Sequence, residues 1–252
     1  MKIIAPKNIY SSILLNSLSK DVGIELVFLE SALITKELET NTSAVGMIPT
    51  LDLIKHQHLH VSGKTGVSFD GLLSNSYIYF LESEHKPENL YLRGDISLNE
   101  IILSKILFSE RFSSQVQVSL ETSQSPASQK NYIVVGDENF TLWNVNNGLS
   151  FSDEIAEMLD LPYVSFVFAS LDKSALTAFN DLSAGVDGII EDRLENILDD
   201  LSYSSETKSL IKDNLESVYF EMTENENTAV NELIKLVYYH GIIDDMFDVK
   251  FV

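Results

Sequence analysis

Residues 44–55 read AVGMIPTLDLIK: a short apolar run, a proline that stops it, and a hydroxyl residue ahead of an amphipathic segment. The run reads as a buried strand. Pro49 cannot continue it, and Thr50 stands as the expected N-cap of a helix over 51–55. Toward the N-terminus the same alternation occurs twice more. Residues 2–5 read as a strand, and Ser11 or Ser12 can cap a helix running through Leu14, Leu15 and Leu18. Residues 24–29 read as a second strand and 32–38 as a second helix. Strand–helix repeated three times predicts an α/β protein with an open parallel sheet. In such sheets ligands bind beyond the carboxyl ends of the strands, where helix N-termini also point. Asn8–Ser12 and Pro49–Thr50 occupy those places.

Toward the C-terminus, 76–81 is a strand rich in aromatic and β-branched residues, and 90–92 a second strand leading through Ser97 into a helix over 100–112. Residues 113–131 are polar and contain Pro126; they read as a loop with a short strand at 116–120. Residues 132–135 form a buried strand ending at Gly136–Asp137, and Phe151–Leu159 is helical. Leu161–Pro162 breaks that helix, and 163–169 is a further apolar strand. From Ala175 onward the chain is expected to be almost entirely helical. Its clearest helix is 224–240, with Val230, Leu233, Ile234, Val237 and Tyr238 on one stripe.

The chain has 252 residues, is 44% hydrophobic and 22% charged, and so can build a sizeable core. Its net charge of −21 disfavours nucleic acid and anionic lipid, which are bound through Lys and Arg. The same field repels a small anion, so an anion site must use backbone N–H groups, hydroxyls and amides. With no cysteine there is no disulfide, thiolate nucleophile or sulfur-bound zinc. Met1–Pro6 enters strand-like sequence directly, and no run of about 18 apolar residues occurs. A cytoplasmic location is the expectation.

Five segments, in order, resemble the small bacterial chorismate dehydratases of the futalosine route to menaquinone and their sister dihydroxynaphthoate synthases. They are 45–53 (VGMIPTLDL), 68–80 (SFDGLLSNSYIYF), 134–140 (VVGDENF), 161–169 (LPYVSFVFA) and 219–251 with its long helix. The resemblance implies a two-lobed periplasmic-binding-protein-like fold of the second type, with two crossover strands and an inter-lobe cleft. It implies a cytoplasmic protein that uses no cofactor. It makes 77–81 and 163–169 the crossing strands, with residues 1–80 plus 170–252 as the first lobe and 81–169 as the second. Two departures stand out. The family's Tyr-Leu-Asn segment corresponds to Asn8–Ile9–Tyr10, which puts Tyr10 at the place of the chemically active Asn, unless a register shift brings Asn8 there. The family's Ser-x-Thr-Ser run corresponds to Asp95–Ile96–Ser97–Leu98–Asn99, and an acid at an anion-holding helix start is electrostatically unfavourable.

The resemblance and the strand-end positions together nominate Tyr10 and Asn8 for chemistry. They nominate Ser11, Pro49, Thr50, Ser74, Asn75, Ser76, Ser97, Asn99 and Asp137 for ligand binding. Each has a plain structural reading beside it: aromatic packing for Tyr10, a turn for Asn8 and Asp137, capping for Thr50, Ser97 and Asn99. Strand side chains alternate, so Ser74, Asn75 and Ser76 are not all expected to face one side. His56, His58 and His60 alternate in HQHLH; on a strand they would share a side and suit a metal, but a helix end and loop is the expected setting, so no metal is assigned. Two functions follow. One is a hydro-lyase acting on chorismate; the other is a non-catalytic or diverged homologue that binds a small anionic metabolite, as monomer or homodimer. Tyr10 or Asn8 converging with hydroxyls on an uncharged pocket favours the first. Asp95 and Asp137 pointing into the cleft favours the second.

Overall fold

A computed structural model describes residues 1–18, 23–81, 86–123 and 130–252. The part of the 113–131 loop around Pro126 lies outside the described residues. The chain folds into two lobes, each built on one sheet. The first lobe opens with β1 (Lys2–Pro6), α1 (Ile9–Ser17), β2 (Glu25–Leu29), α2 (Ser31–Thr40), β3 (Val45–Pro49), a 3₁₀ turn (Thr50–Ile54) and β4 (His60–Phe69). The second comprises β5 (Ser76–Tyr79), β6 (Asn89–Gly94), α3 (Leu98–Glu110), β7 (Gln117–Leu120), β8 (Tyr132–Val135), α4 (Glu138–Thr141) and β9 (Leu149–Ser150). Helix α5 (Phe151–Leu159) leads back into the first lobe. That lobe is completed by β10 (Tyr163–Ser170), α6 (Lys173–Leu182), α7 (Val186–Asp200), α8 (Ser205–Asn214), β11 (Val218–Glu221) and α9 (Glu224–Tyr239).

The first sheet runs β11-β4-β10-β3-β1-β2 and the second β7-β6-β8-β5-β9. β1, β2 and β3 are parallel, as the strand–helix alternation requires, while β10 runs antiparallel to both β3 and β4. This is the two-lobed, periplasmic-binding-protein-like fold of the second type. The two crossings are adjacent: Phe69, where the chain leaves β4, pairs with Tyr163, where it returns in β10. Strand β5 lies inside the second sheet and β10 in the middle of the first. The sheets therefore part within 70–75 and at 151–162, and not at 80/81 and 169/170 as the sequence suggested. The crossing segment is the exit from β4, and 77–81 is not a crossing strand.

Two strands depart from the sequence reading. β4 carries two glycines and several polar residues; the sequence reading placed its first residue, His60, in a helix end and loop and assigned no strand to the rest. Gly66 is required there: a Cβ would stand 2.6 Å from Met222 Sδ and 2.9 Å from the Phe166 carbonyl oxygen. β11 interrupts the supposedly all-helical C-terminal region and covers the β4 edge. The whole of β10 is buried, with Val167 and Phe168 fully enclosed. One contiguous apolar cluster passes from Ile3, Ile4 and Ile48 through Phe166 to Ile78, Leu103 and Ile133, so the lobes share a core.

Candidate functional site

The strand ends of the first lobe present backbone N–H groups toward the second. Ile9 opens α1, Ser31 opens α2, and Leu51 lies in the first turn of the 3₁₀ segment. Such orphan donors are the usual seat of a ligand anion. Each instead meets a side chain of the second lobe. Asp137 Oδ1 accepts from Ile9 N–H at 2.9 Å, and its Oδ2 accepts from the Tyr203 hydroxyl at 2.5 Å. Asp95 Oδ1 accepts from Ser31 N–H at 2.8 Å, and Oδ2 from the Ser31 hydroxyl at 2.6 Å. Asn99 Oδ1 accepts from Leu51 N–H at 2.9 Å, and its Nδ2 donates to the Ser165 carbonyl at 2.7 Å. Two carboxylates and an amide of the chain itself thus sit on the donors that a bound anion would use.

Two Gly–Asp pairs deliver those acids. Gly94 ends β6 at φ +94° and Gly136 follows β8 at φ +79°, both in the left-handed region that glycine enters freely. β6 and β8 are parallel neighbours, with Gly94 opposite Val135, so the two turns lie side by side and each throws its Asp across the seam. Burial raises the pKa of both carboxyls above the ordinary range, against the lowering effect of the hydrogen bonds from Ser31 and from Tyr203 and Ile9. Asp95 also raises Asp137 by like-charge repulsion.

The hydroxyls nominated in the second lobe are likewise taken. Ser97 caps α3, and its N–H and Oγ donate to Glu100 Oε2 at 3.0 and 2.7 Å. Ser76 Oγ donates to Glu100 Oε1 at 3.0 Å. Burial pushes the Glu100 pKa up, opposed first by Ser97. Ser74 Oγ bonds the Ser76 carbonyl and the Ser152 hydroxyl. Asn75 uses its carbonyl to hold Gly136 N–H at 2.7 Å, while its side-chain Oδ1 is buried without a partner among the described residues.

In the first lobe two capping expectations need correction. Asn8, not Ser11 or Ser12, is the N-cap of α1, and Ser11 completes a reciprocal capping box with it at the third helical position. Asn8 Nδ2 remains buried and unpartnered among the described residues. Thr50 does not cap: it is the first residue of its 3₁₀ turn after Pro49, and its hydroxyl donates 2.7 Å to the Val164 carbonyl. Tyr10 is completely buried, lies edge-on to Phe69 with ring centres 4.9 Å apart, and donates to the Ser74 carbonyl at 3.0 Å. Burial above all, then Tyr77, pushes its pKa well up, so it stays a neutral donor.

Tyr10, Ser11, Thr50, Ser74 and Asn99 have no accessible surface, and Asn8 has 1%. A residue lining a vacant cleft would show surface to a water-sized probe, so the seam is closed on these side chains. The nominated residues are brought together, but onto one another. Ser31, Tyr203, Ser165 and Glu100 complete the arrangement without having been nominated. The cluster Glu39, His56 and His58 is the metal-competent group among the described residues, and it lies outside the seam. No helix of the described residues is long and apolar enough to cross a membrane.

The fold defines the class: a two-lobed α/β protein with the periplasmic-binding-protein-like architecture of the second type. Solved structures agree on the fold. Protein AF1704 from Archaeoglobus fulgidus is similar over 96% of this chain and 98% of its own, at 13% identity and a TM-score of 0.64. The alkanesulfonate-binding protein SsuA from Xanthomonas axonopodis pv. citri, bound to MOPS, is similar over 100% and 97%, at 13% identity and a TM-score of 0.54. The periplasmic aliphatic sulphonate binding protein SsuA from Escherichia coli is similar over 99% and 90%, at 10% identity and 0.52. No family model and no curated protein matches the sequence.

Proposed function

We propose that this chain is a non-catalytic binding protein for a small carboxylate or sulfonate, whose inter-lobe anion contacts are held by its own side chains until a ligand displaces them. The observation that carries the reading is the placement of Asp137 and Asp95 on the first N–H groups of α1 and α2. A ligand anion would take over donors already aimed at an anion, while the displaced carboxylates regain water. The sulfonate ligands belong to the two SsuA neighbours and enter here only as a chemical class. Two features weigh against dehydratase chemistry. Tyr10 is neutral and committed to Ser74, and Glu100 already occupies Ser76 and Ser97.

A second reading, a chorismate dehydratase-like lyase, draws support from Asn8: its buried, unpartnered Nδ2 is a donor left over at the helix start where that chemistry would be expected. One experiment addresses both. Isothermal titration with MOPS, benzoate and chorismate is run on the natural chain and on Asp95→Ala/Asp137→Ala, with chorismate consumption followed by absorbance. Binding strengthened by the double substitution, without turnover, is the expected outcome. Turnover abolished by Asn8→Ala would establish the lyase, and silence of both proteins toward all three compounds would remove the binding reading.

A further inference from the structure

We propose that Glu39, His56 and His58 form a binding site for a divalent transition-metal ion, zinc by its donor set. Each residue offers one ligand atom, and these atoms lie within 4.8 Å of one another. His56 Nδ1 and Glu39 Oε1 stand 3.2 Å apart. Zinc–nitrogen and zinc–oxygen bonds of about 2.0–2.2 Å place two tetrahedral ligands roughly 3.4 Å apart. That pair therefore already has the required separation, and His58 needs only a side-chain adjustment. The two imidazole rings have centres 6.0 Å apart and tilt at 57°, so they converge without stacking.

The backbone holds the site ready. His56 N–H bonds the carbonyls of Asp52 and Leu53, both at 3.2 Å, and Leu59 N–H returns to the His56 carbonyl at 3.1 Å. Glu39 lies in the last turn of α2, which is tied to the 3₁₀ turn by the Thr35 hydroxyl on the Asp52 carboxylate. His60, the third histidine of the HQHLH run, instead begins β4, where it stands opposite Ser170 of β10. Its exclusion shows that the cluster comes from tertiary placement and not from alternation along a strand. Two imidazoles with one carboxylate suit zinc, copper or nickel over magnesium or calcium, which prefer all-oxygen shells. A net charge of −21 favours any cation near the surface. A fourth position is left for water, because Glu39 and His58 are exposed. An ion there would brace α2 against the turn into β4, the two elements whose opposite ends meet Asp95 and Asn99.

The test is titration of the full chain with zinc chloride, followed by calorimetry, beside Glu39→Gln, His56→Ala, His58→Ala and His60→Asn. One ion per chain is expected. Even partners outside the coordination shell cost about 10–100-fold in affinity, so each of the first three substitutions should cost tenfold or more. His60→Asn should bind as the natural chain does. Glu39→Gln is near-isosteric at an exposed position and keeps the fold. Absence of saturable zinc binding by the natural chain overturns the site. So does binding that survives any one of the three ligand substitutions, or that is lost equally with His60→Asn.

Discussion

The Thr50 hydroxyl donates to Val164 O within a fully buried setting, joining the end of β3 to the crossing strand β10. Thr50→Val removes that donor and leaves a buried carbonyl unpaired, which costs about 1–3 kcal/mol. A clear fall in melting temperature, with small-carboxylate affinity unchanged, is expected; weakened affinity at unchanged stability would return Thr50 to the ligand. Asp137 carries a different expectation. Asp137→Ala should lose about 1.5–3 kcal/mol, the worth of hydrogen bonds to a charged group. It leaves Ile9 N–H and Tyr203 OH facing a space the size of one carboxylate. Formate should then raise the melting temperature of Asp137→Ala well above its effect on the natural chain. An equal response in both proteins would show that the start of α1 does not accept a free anion. The residue types at these places were legible from the sequence, because strand ends and helix starts mark where a cleft must be. Their occupants were not. Nothing local to Asp95 says that it reaches Ser31, 64 positions earlier.

Strands β6 and β8 each end in a Gly–Asp turn, and the two glycines differ in what surrounds them. At Gly94 a Cβ would stand 2.1 Å from the Val135 carbonyl oxygen, on a backbone at φ +94°. Gly94→Ala must move the β6–β8 ladder or the turn, at a cost of about 3 kcal/mol or more. At Gly136 the nearest atom to such a Cβ is Asp95 Cβ at 3.6 Å. Gly136→Ala bears only the left-handed strain of roughly 1–2 kcal/mol. Chemical denaturation of the two variants checks the ranking, and a Gly136→Ala loss equal to that of Gly94→Ala would refute it. Elements with one dominant period were readable in advance: β1, β3 and β8 as apolar runs, α5 and α9 from their stripes. β4 was not, because Gly63, Lys64, Thr65 and Gly66 dilute its strand character, and only the close approach of the Phe166 carbonyl and Met222 to Gly66 explains the glycine. β11 was hidden for a related reason: four residues between helices carry too short a pattern to outweigh their neighbours. The boundary between lobes was misplaced because 76–79 and 163–170 are both strongly apolar, and burial alone does not say which sheet a strand joins.

Folding draws several carboxyls away from water at once, Asp95 and Asp137 across the seam and the others within a lobe, and this sets how the whole molecule responds to pH. Burial raises the pKa of Asp95, Asp137, Glu100, Asp52 and Asp187 above the ordinary carboxyl range in the folded state. A carboxyl raised on folding binds its proton more tightly in the folded chain. Its favourable contribution is therefore complete below the unfolded pKa, near 4 by the usual carboxyl values, and is lost as pH rises through the folded value. Glu121, Asp172, Glu195 and Glu206 shift downward and act in the opposite sense. Glu195 and Glu206 are exposed and Glu121 and Asp172 only half-buried, so solvent screens their contributions. The net charge of −21 adds general repulsion that grows as the acids ionise. Both effects have the same sign, so the melting temperature should be higher near pH 5 than near pH 8, with the gap narrowing in added salt. The same linkage applies to the seam: separating the lobes returns Asp95 and Asp137 to water and releases protons, so alkaline, low-salt conditions favour opening. Small-angle scattering should show a larger radius of gyration at pH 8.5 than at pH 5.5. In Asp95→Asn/Asp137→Asn that pH dependence should flatten, since an amide has no proton to release. A natural chain that gains stability from pH 5 to pH 8, or a double variant that keeps the full pH response, would place the titrating groups outside the seam.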